Sequence, residues 1–237
     1  MSLSDPDVVR RDYASEARLL DRRSLYEGAE GPDAREVVWR HVAEALPRSV
    51  LEVGPGPGEL SERIALELGA NVVAIDVSPR MVELTRARGI HASVGDVQAL
   101  PFADGEFDLV AAAWVLFHAA DLDRALAEIE RVLRPGGRLV AATNSEHHLE
   151  ELWELVGGYA SYSFSAENGE TALKAHFGSV AVELVEGWVT FADTAAARNY
   201  VASSIVCGHL VKHVPLFPAP LRARRLNAIF VATKAAL

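Results

Sequence analysis

Val50-Leu51-Glu52-Val53-Gly54-Pro55-Gly56-Pro57-Gly58-Glu59-Leu60 is the stretch that decides the fold. Its apolar, partly β-branched start predicts a short strand buried on both faces of a sheet. Glycines recur at Gly54, Gly56 and Gly58. The segment from Glu59 to Leu68 then alternates apolar and charged residues at helical period and stops at Gly69, a residue suited to a helix C-terminus. The glycines therefore sit on a strand-to-helix turn, where a residue without a Cβ lets a ligand approach the backbone itself.

A dinucleotide fingerprint needs its third glycine where Glu59 stands, and Glu59 with nearby Glu52 makes the helix start a poor seat for a pyrophosphate. A cofactor without phosphates and with net positive charge fits better, and S-adenosylmethionine, with a sulfonium and an ammonium against one carboxylate, has that character. The motif Glu52-x-Gly54-x-Gly56-x-Gly58 resembles the first motif of the class I S-adenosylmethionine-dependent methyltransferases, specifically the type 11 group. The resemblance implies S-adenosyl-L-methionine as cofactor, S-adenosyl-L-homocysteine as product, and Glu52, Gly54, Pro55, Gly56 and Gly58 around it.

Downstream, Asn71 to Ile75 predicts a second buried strand running into Asp76. An acid at that strand end, about twenty residues after the glycines, is placed to accept both hydroxyls of an adenosine ribose. Ser78 suits a helix N-cap and Pro79 the first helical position. The family resemblance puts Val77 and Met81 against the adenine, with core filling as the alternative for Met81. A third strand, Ile90 to Val94, ends at Gly95-Asp96-Val97-Gln98, and Leu100-Pro101-Phe102 and Phe107-Asp108 follow in the order typical of the same family. This implies that Asp96 accepts from the adenine amino group while the Val97 N–H serves a ring nitrogen.

A fourth strand, Phe107 to Ala113, delivers Trp114-Val115-Leu116-Phe117-His118 to the C-terminal edge of the sheet, where open α/β folds hold ligands. The resemblance places Ala113 and Trp114 beside the methionine part of the cofactor and His118 near it. His118 is a candidate general base because an imidazole of ordinary pKa, about 6.5, is largely neutral at working pH; cofactor contact or packing is the alternative. Asp121 to Asp123 start a helix, and Arg134-Pro135-Gly136-Gly137 reverses it into a fifth strand, Arg138 to Thr143. Strand and helix alternate from Val50 to Thr143, which predicts a parallel sheet with right-handed crossovers.

Upstream, Asp7 to Tyr26 reads as one amphipathic helix, and Pro32-Asp33 starts a second that ends before Pro47. In enzymes of the kind this chain resembles, such N-terminal helices cap the cofactor and wall the substrate cavity. Tyr13 and Tyr26 are the substrate candidates there, with plain packing equally good for each. After Thr143, Asn144-Ser145-Glu146-His147-His148 leaves the active-site edge, and His147 is a further substrate candidate. A helix over Glu170 to Phe177 and strands over Val180 to Phe191 and Asn227 to Lys234 are expected, the two strands closing the sheet as an antiparallel pair by family resemblance. Ala192 to Leu226 reads as a mostly helical lid or substrate insertion interrupted by Pro215, Pro218 and Pro220, with Arg222, Arg224 and Arg225 on a solvated helix face.

The expected whole is an α/β, Rossmann-like, doubly wound seven-stranded sheet, mostly parallel with an antiparallel closing strand. It forms a single methyltransferase domain over 1–237, with a helical cap (1–30), a cofactor-binding core (33–143) and a sheet-completing part (144–237) whose lid spans about 192–226. Composition agrees: 237 residues, half of them hydrophobic, suffice for one substantial core. A net charge of -10 from 33 acidic and 23 basic residues disfavours a nucleic-acid partner. The single cysteine, Cys207, offers no disulfide framework or cysteine zinc site, as expected of a cytoplasmic protein, and no run reaches membrane-spanning length. His209 and His213 have helical metal spacing but no third ligand beside them, so no metal is expected. No oligomeric state follows. The function expected is methyl transfer by in-line attack of an O, N, S or C nucleophile of a small molecule. A non-catalytic cofactor-binding protein and an NAD-dependent oxidoreductase are the alternatives.

Overall fold

The computed structural model describes residues 3–158, 162–217 and 220–236. Seven strands form one sheet in the order β3-β2-β1-β4-β5-β7-β6. β1 (Ser49–Val53) lies between β2 (Asn71–Asp76) and β4 (Phe107–Ala113), parallel to both, and β3 (His91–Val94) extends that side in parallel. β5 (Leu133–Asn144) is parallel to β4, whereas β7 (Leu221–Thr233) runs antiparallel between β5 and β6 (Ser179–Phe191).

Neighbouring residues of the central strands serve opposite faces, which is why they are mostly apolar. Leu51, Val53, Val110 and Leu139 pack with Leu126 and Ile129 of a covering helix on one face. Val50, Val72, Leu109 and Val140 pack with Val38 and Val42 of another on the other face. Those helices are Leu122–Val132, capped by Asp121, and Ala34–Glu44, capped by Asp33. A third apolar cluster lies at the β6–β7 edge of the sheet, where Trp153, Val156, Phe191, Val201 and Cys207 pack with Leu25 and Tyr26.

Several expectations need correction. The N-terminal helix is two helices, α1 (Pro6–Asp12) and α2 (Ala17–Ser24). The buried Asp12 carboxylate accepts from Arg18 and Arg22, which folds α2 back on α1, and the Ser78 hydroxyl caps the Tyr13 carbonyl at 2.6 Å. The helix after the glycines is α-helical only over Glu59–Arg63 and widens to a π-turn over Ile64–Leu68 before Gly69. Arg134 to Gly137 bulges out between the Phe107–Leu133 and Leu109–Arg138 pairs, with Gly136 at a φ of 75°. It belongs to β5, and Gly136 and Gly137 exchange backbone hydrogen bonds with Lys234.

β7 begins at Leu221, six residues before the expected Asn227, so the insertion is shorter than predicted: a helix over Thr194–Ser203 and a 3₁₀ turn over Gly208–His213. Pro218 falls outside the described residues. Arg222, Arg224 and Arg225 therefore lie on a strand, where Arg225 faces inward at 4% exposure. A short helix over Glu150–Val156 was not foreseen; it follows Leu149, which takes a left-handed φ of 59°.

Candidate functional site

The glycine turn sits at the C-terminal ends of β1 and β2. A Cβ on Gly54 would lie 2.4 Å from Val115 Cγ2, so nothing larger than glycine fits there. Gly56 has φ of 55°, and the nearest atom to an added Cβ is Leu19 Cδ2 at 3.7 Å. Its backbone thus borders open space rather than packed core. The turn is braced from behind by the helix Pro79–Ala87: Thr85 donates to the Gly56 carbonyl at 3.0 Å and Arg88 Nε to the Pro57 carbonyl at 2.7 Å.

A cavity of about 720 Å³ opens above the turn, within the roughly 300–1,000 Å³ common for small-molecule sites. Of the sequence candidates, Tyr13, Tyr26, Glu52, Gly54, Pro55, Gly56, Asp76, Val77, Asp96, Val97, Ala113, Trp114 and His118 line it. Gly58 and Met81 are not on the wall; Met81 is 1% exposed and fills the core beneath. His147 is also elsewhere, at the surface against Glu150 at 3.0 Å.

The cavity is chemically divided. At the β1–β3 end are Glu52, Asp76 and Asp96, none of which forms an ion pair among the described residues. Burial pushes the Glu52 carboxyl up to about 7 despite the Ser61 hydroxyl donating to it. Burial likewise pushes Asp76 up to about 6, against the N–H of Ser78 at 2.8 Å and that of Gly56. Asp96 is exposed and accepts from the Gln98 backbone N–H at 2.9 Å. Glu59 carries less weight than its sequence position suggested, because Arg23 pairs with it.

At the other end, Tyr26, Tyr162, Tyr200, Trp114 and Trp153 face the cavity with Asn144 and Asn227. Trp114 has a left-handed φ of 55°, a strained conformation for a side chain of that size, and its indole donates to Asn144 Oδ1 at 3.2 Å. Asn144 also accepts from Asn227 at 2.7 Å. Tyr26 is 2.9 Å from His148 Nε2 and 3.3 Å from the Tyr200 hydroxyl, and burial pushes it up to about 12. Tyr162, Tyr200, Asn227 and Arg225 were missed in the sequence. The period-2 burial of Ala223, Arg225 and Asn227 was the available signal, masked because two of the three are polar.

The two-helix cap roofs both ends. Glu16 pairs with Arg80 at 3.0 Å, and Arg22 donates to the Ser203 carbonyl at 2.6 Å. His118 hangs between roof and floor. Its Nδ1–H donates to the Leu3 carbonyl at 2.8 Å, which leaves Nε2 to accept from the Tyr13 hydroxyl at 3.1 Å. Burial lowers its pKa to about 4, so the ring is neutral.

Residues 51–141 match the methyltransferase domain family. The malonyl-[acyl-carrier protein] O-methyltransferase of Pseudescherichia vulneris is 33% identical over 239 residues, covering 98% of this chain and 91% of that protein. The chain belongs to the methyltransferase family. It is an S-adenosylmethionine-dependent enzyme of that family, as the glycine motif implied. The demethylmenaquinone methyltransferase of Thermus thermophilus is 39% identical over 122 residues, 46% of this methyltransferase and 54% of that protein. Among solved structures, phospholethanolamine N-methyltransferase 2 of Haemonchus contortus, in complex with phosphomonomethylethanolamine and S-adenosylhomocysteine, shares the fold. Its TM-score is 0.66 at 17% identity, covering 99% of this chain and 61% of that one.

The cavity residues fit the cofactor. Carboxylates without a cation partner suit a ligand that brings ribose hydroxyls and positive charge, and a bare glycine backbone at Gly56 permits close approach. No helix among the described residues is long and apolar enough to cross a membrane.

Proposed function

We propose that the acid-lined end holds S-adenosylmethionine and that the aromatic end holds a small-molecule methyl acceptor. The supporting observation is the division of one cavity into an end with three unpaired carboxylates and an end with tyrosine, tryptophan and amide side chains. Asp76 accepts the ribose hydroxyls, Asp96 and the Val97 N–H take the adenine edge, and Glu52 supplies negative charge beneath the methionine part. Gly54, Pro55, Gly56, Val77, Ala113 and Trp114 complete the contact surface.

When bound, the cofactor supplies an electrophilic methyl on a sulfonium leaving group. The chain's task is to align the acceptor O, N, S or C atom in line with it and to exclude water. Alignment of this kind contributes up to about 7–11 kcal/mol. Tyr13 and His118 act as a hydrogen-bonded wall rather than as a base: a proton acceptor needs a free lone pair, and the one on Nε2 is occupied by the Tyr13 hydroxyl. The relatives named above act on a malonyl group carried by a protein and on a quinone precursor, which supports an organic acceptor. The whole of 1–237 is read as one methyltransferase domain, and the single free cysteine supports a cytoplasmic setting.

Incubation with methyl-labelled S-adenosylmethionine and a panel of small organic acceptors tests the reading. Label transfer to a panel member, dependent on Asp76, supports it; tight cofactor binding with no transfer to any member favours a non-catalytic binding protein.

A further inference from the structure

Six arginines line the cavity, and five already have an acid: Arg10 with Asp7, Arg22 with Asp12, Arg23 with Glu59, Arg35 with Asp33, and Arg63 with Glu36. Arg225 is the sixth. Among the described residues it forms no ion pair, it is 4% exposed, and its Nε is buried without any hydrogen-bond partner. A buried cation without a counter-charge is costly, and an anion reaching the cavity-lining guanidinium would relieve that cost.

The surroundings position this guanidinium without neutralising it. Nη2 donates to the Pro32 carbonyl at 2.6 Å and is 3.4 Å from the Glu30 carbonyl. Those dipoles hold one end of the group and leave its charge intact. Gly187, the β6 residue paired with Arg225, makes room: a Cβ there would lie 2.7 Å from Nη2 and 3.1 Å from Nε. Asp33, an acid that feels Arg225, is gripped by Arg35 at 2.7 Å and caps its own helix. His148, also close by, is kept neutral by burial and adds no second positive charge. Arg225 stands on β7, separated from the carboxylates of β1 and β2 by β4 and β5. One cavity therefore carries unpaired negative charge at its cofactor end and an unpaired positive charge at its aromatic end.

The geometry points to Arg225 as the seat of a carboxylate on the methyl acceptor, so that the acceptor is an organic acid whose apolar or aromatic body lies against Tyr26, Tyr162, Tyr200 and Trp114. Arginine suits this task because a planar carboxylate matches its N–H edge with charge-assisted bonds. The inference rests on the two-ended reading of the cavity given above and adds the acceptor's charge and shape.

The test is calorimetric titration of the protein saturated with S-adenosylhomocysteine, using isosteric acid and amide pairs: phenylacetate against phenylacetamide, and hexanoate against hexanamide. At least one acid should bind tenfold or more tightly than its amide. Arg225→Gln should erase that preference while leaving S-adenosylhomocysteine affinity within twofold of wild type. Should Arg225→Gln fail to fold, the decision falls to wild type and Arg225→Lys, in which loss of the planar fork should weaken the acid about tenfold and spare the amide. Equal binding of acids and amides to wild type, or an acid preference that survives the Arg225 variants, overturns the proposal. Failure of S-adenosylhomocysteine to bind counts against the cofactor reading alone, and the same tenfold acid preference then decides the Arg225 proposal on the protein by itself.

Discussion

The two halves of the sheet carry the two ends of the cavity, and they differ in how their polar groups are satisfied. In the half formed by β3, β2, β1 and β4, Glu52 and Asp76 lie at the C-terminal ends of β1 and β2, Asp96 follows β3, and none of the three has a cation partner among the described residues. In the half formed by β5, β7 and β6, together with the cap, most polar groups already have partners: Asn144 with Trp114 and Asn227, Tyr26 with His148 and Tyr200, Arg22 with Asp12. A wall whose hydrogen bonds are mostly closed selects by shape, with Arg225 as its one open charge, whereas a wall of carboxylates without cation partners selects by charge.

The sharpest way to break this contrast is Asp76→Ala. If the acid half is held ready for the cofactor, removing two charge-assisted hydrogen bonds at about 1.5–3 kcal/mol each should weaken S-adenosylmethionine by about 10²–10⁴-fold in a calorimetric titration. An unchanged affinity would place the ribose elsewhere.

Glu52→Gln comes next and gives an opposite sign for stability. Folded, the Glu52 carboxyl holds its proton up to about 7 rather than the ordinary 4.5, so its stabilising contribution is complete below 4.5 and is lost as pH rises through 7. In the ligand-free protein at pH 8, the glutamine variant should therefore be more stable by about 3 kcal/mol, a gap that closes toward pH 4.5. Urea melts at the two pH values read this directly, and a destabilised variant at pH 8 contradicts it.

In the other half, Asp12→Asn should loosen the roof. Two arginines lose their acid, at about 2 kcal/mol, below the roughly 3–5 kcal/mol of a fully buried pair because Arg18 is exposed. Limited proteolysis between α1 and α2 should accelerate while the sheet core stays protected.

The smallest effect belongs to His118→Asn. With Nε2 engaged and the ring neutral down to about 4, turnover should fall less than about tenfold and the variant should keep the pH profile of the wild type. A loss of about 10²–10⁴-fold that also removes an inflection present in the wild-type profile restores the base role.

The same division governs what the sequence revealed. β1, β2 and β4 were legible because strands buried on both faces must be apolar along their length, and because Ser78-Pro79, Asp121 and Gly69 mark helix ends by local chemistry. The acids at those strand ends follow once the strand ends are placed. The other half hides its pattern. β7 buries Arg225 and Asn227 in register with Ala223, so its inward face reads as polar, and three arginines in four positions resemble an exposed helix. The break between α1 and α2 depends on Asp12 meeting Arg18 and Arg22, a tertiary contact that helical periodicity does not encode. The aromatic wall is assembled from positions as far apart as Tyr26, Trp114 and Tyr200, and no spacing rule connects them.

The most direct measurement of the central claim, that the β1–β2 half is an acid-lined seat for a cationic cofactor, is the proton count on binding. Calorimetric titrations at pH 6.5 in two buffers of different ionisation enthalpy provide it. With Glu52 up to about 7 and Asp76 up to about 6, S-adenosylmethionine should drive both carboxyls to their ionised forms and release about one proton. S-adenosylhomocysteine, which lacks the sulfonium charge, should release less. Tight binding of both ligands with no proton released would contradict the claim and move the cofactor away from these carboxylates.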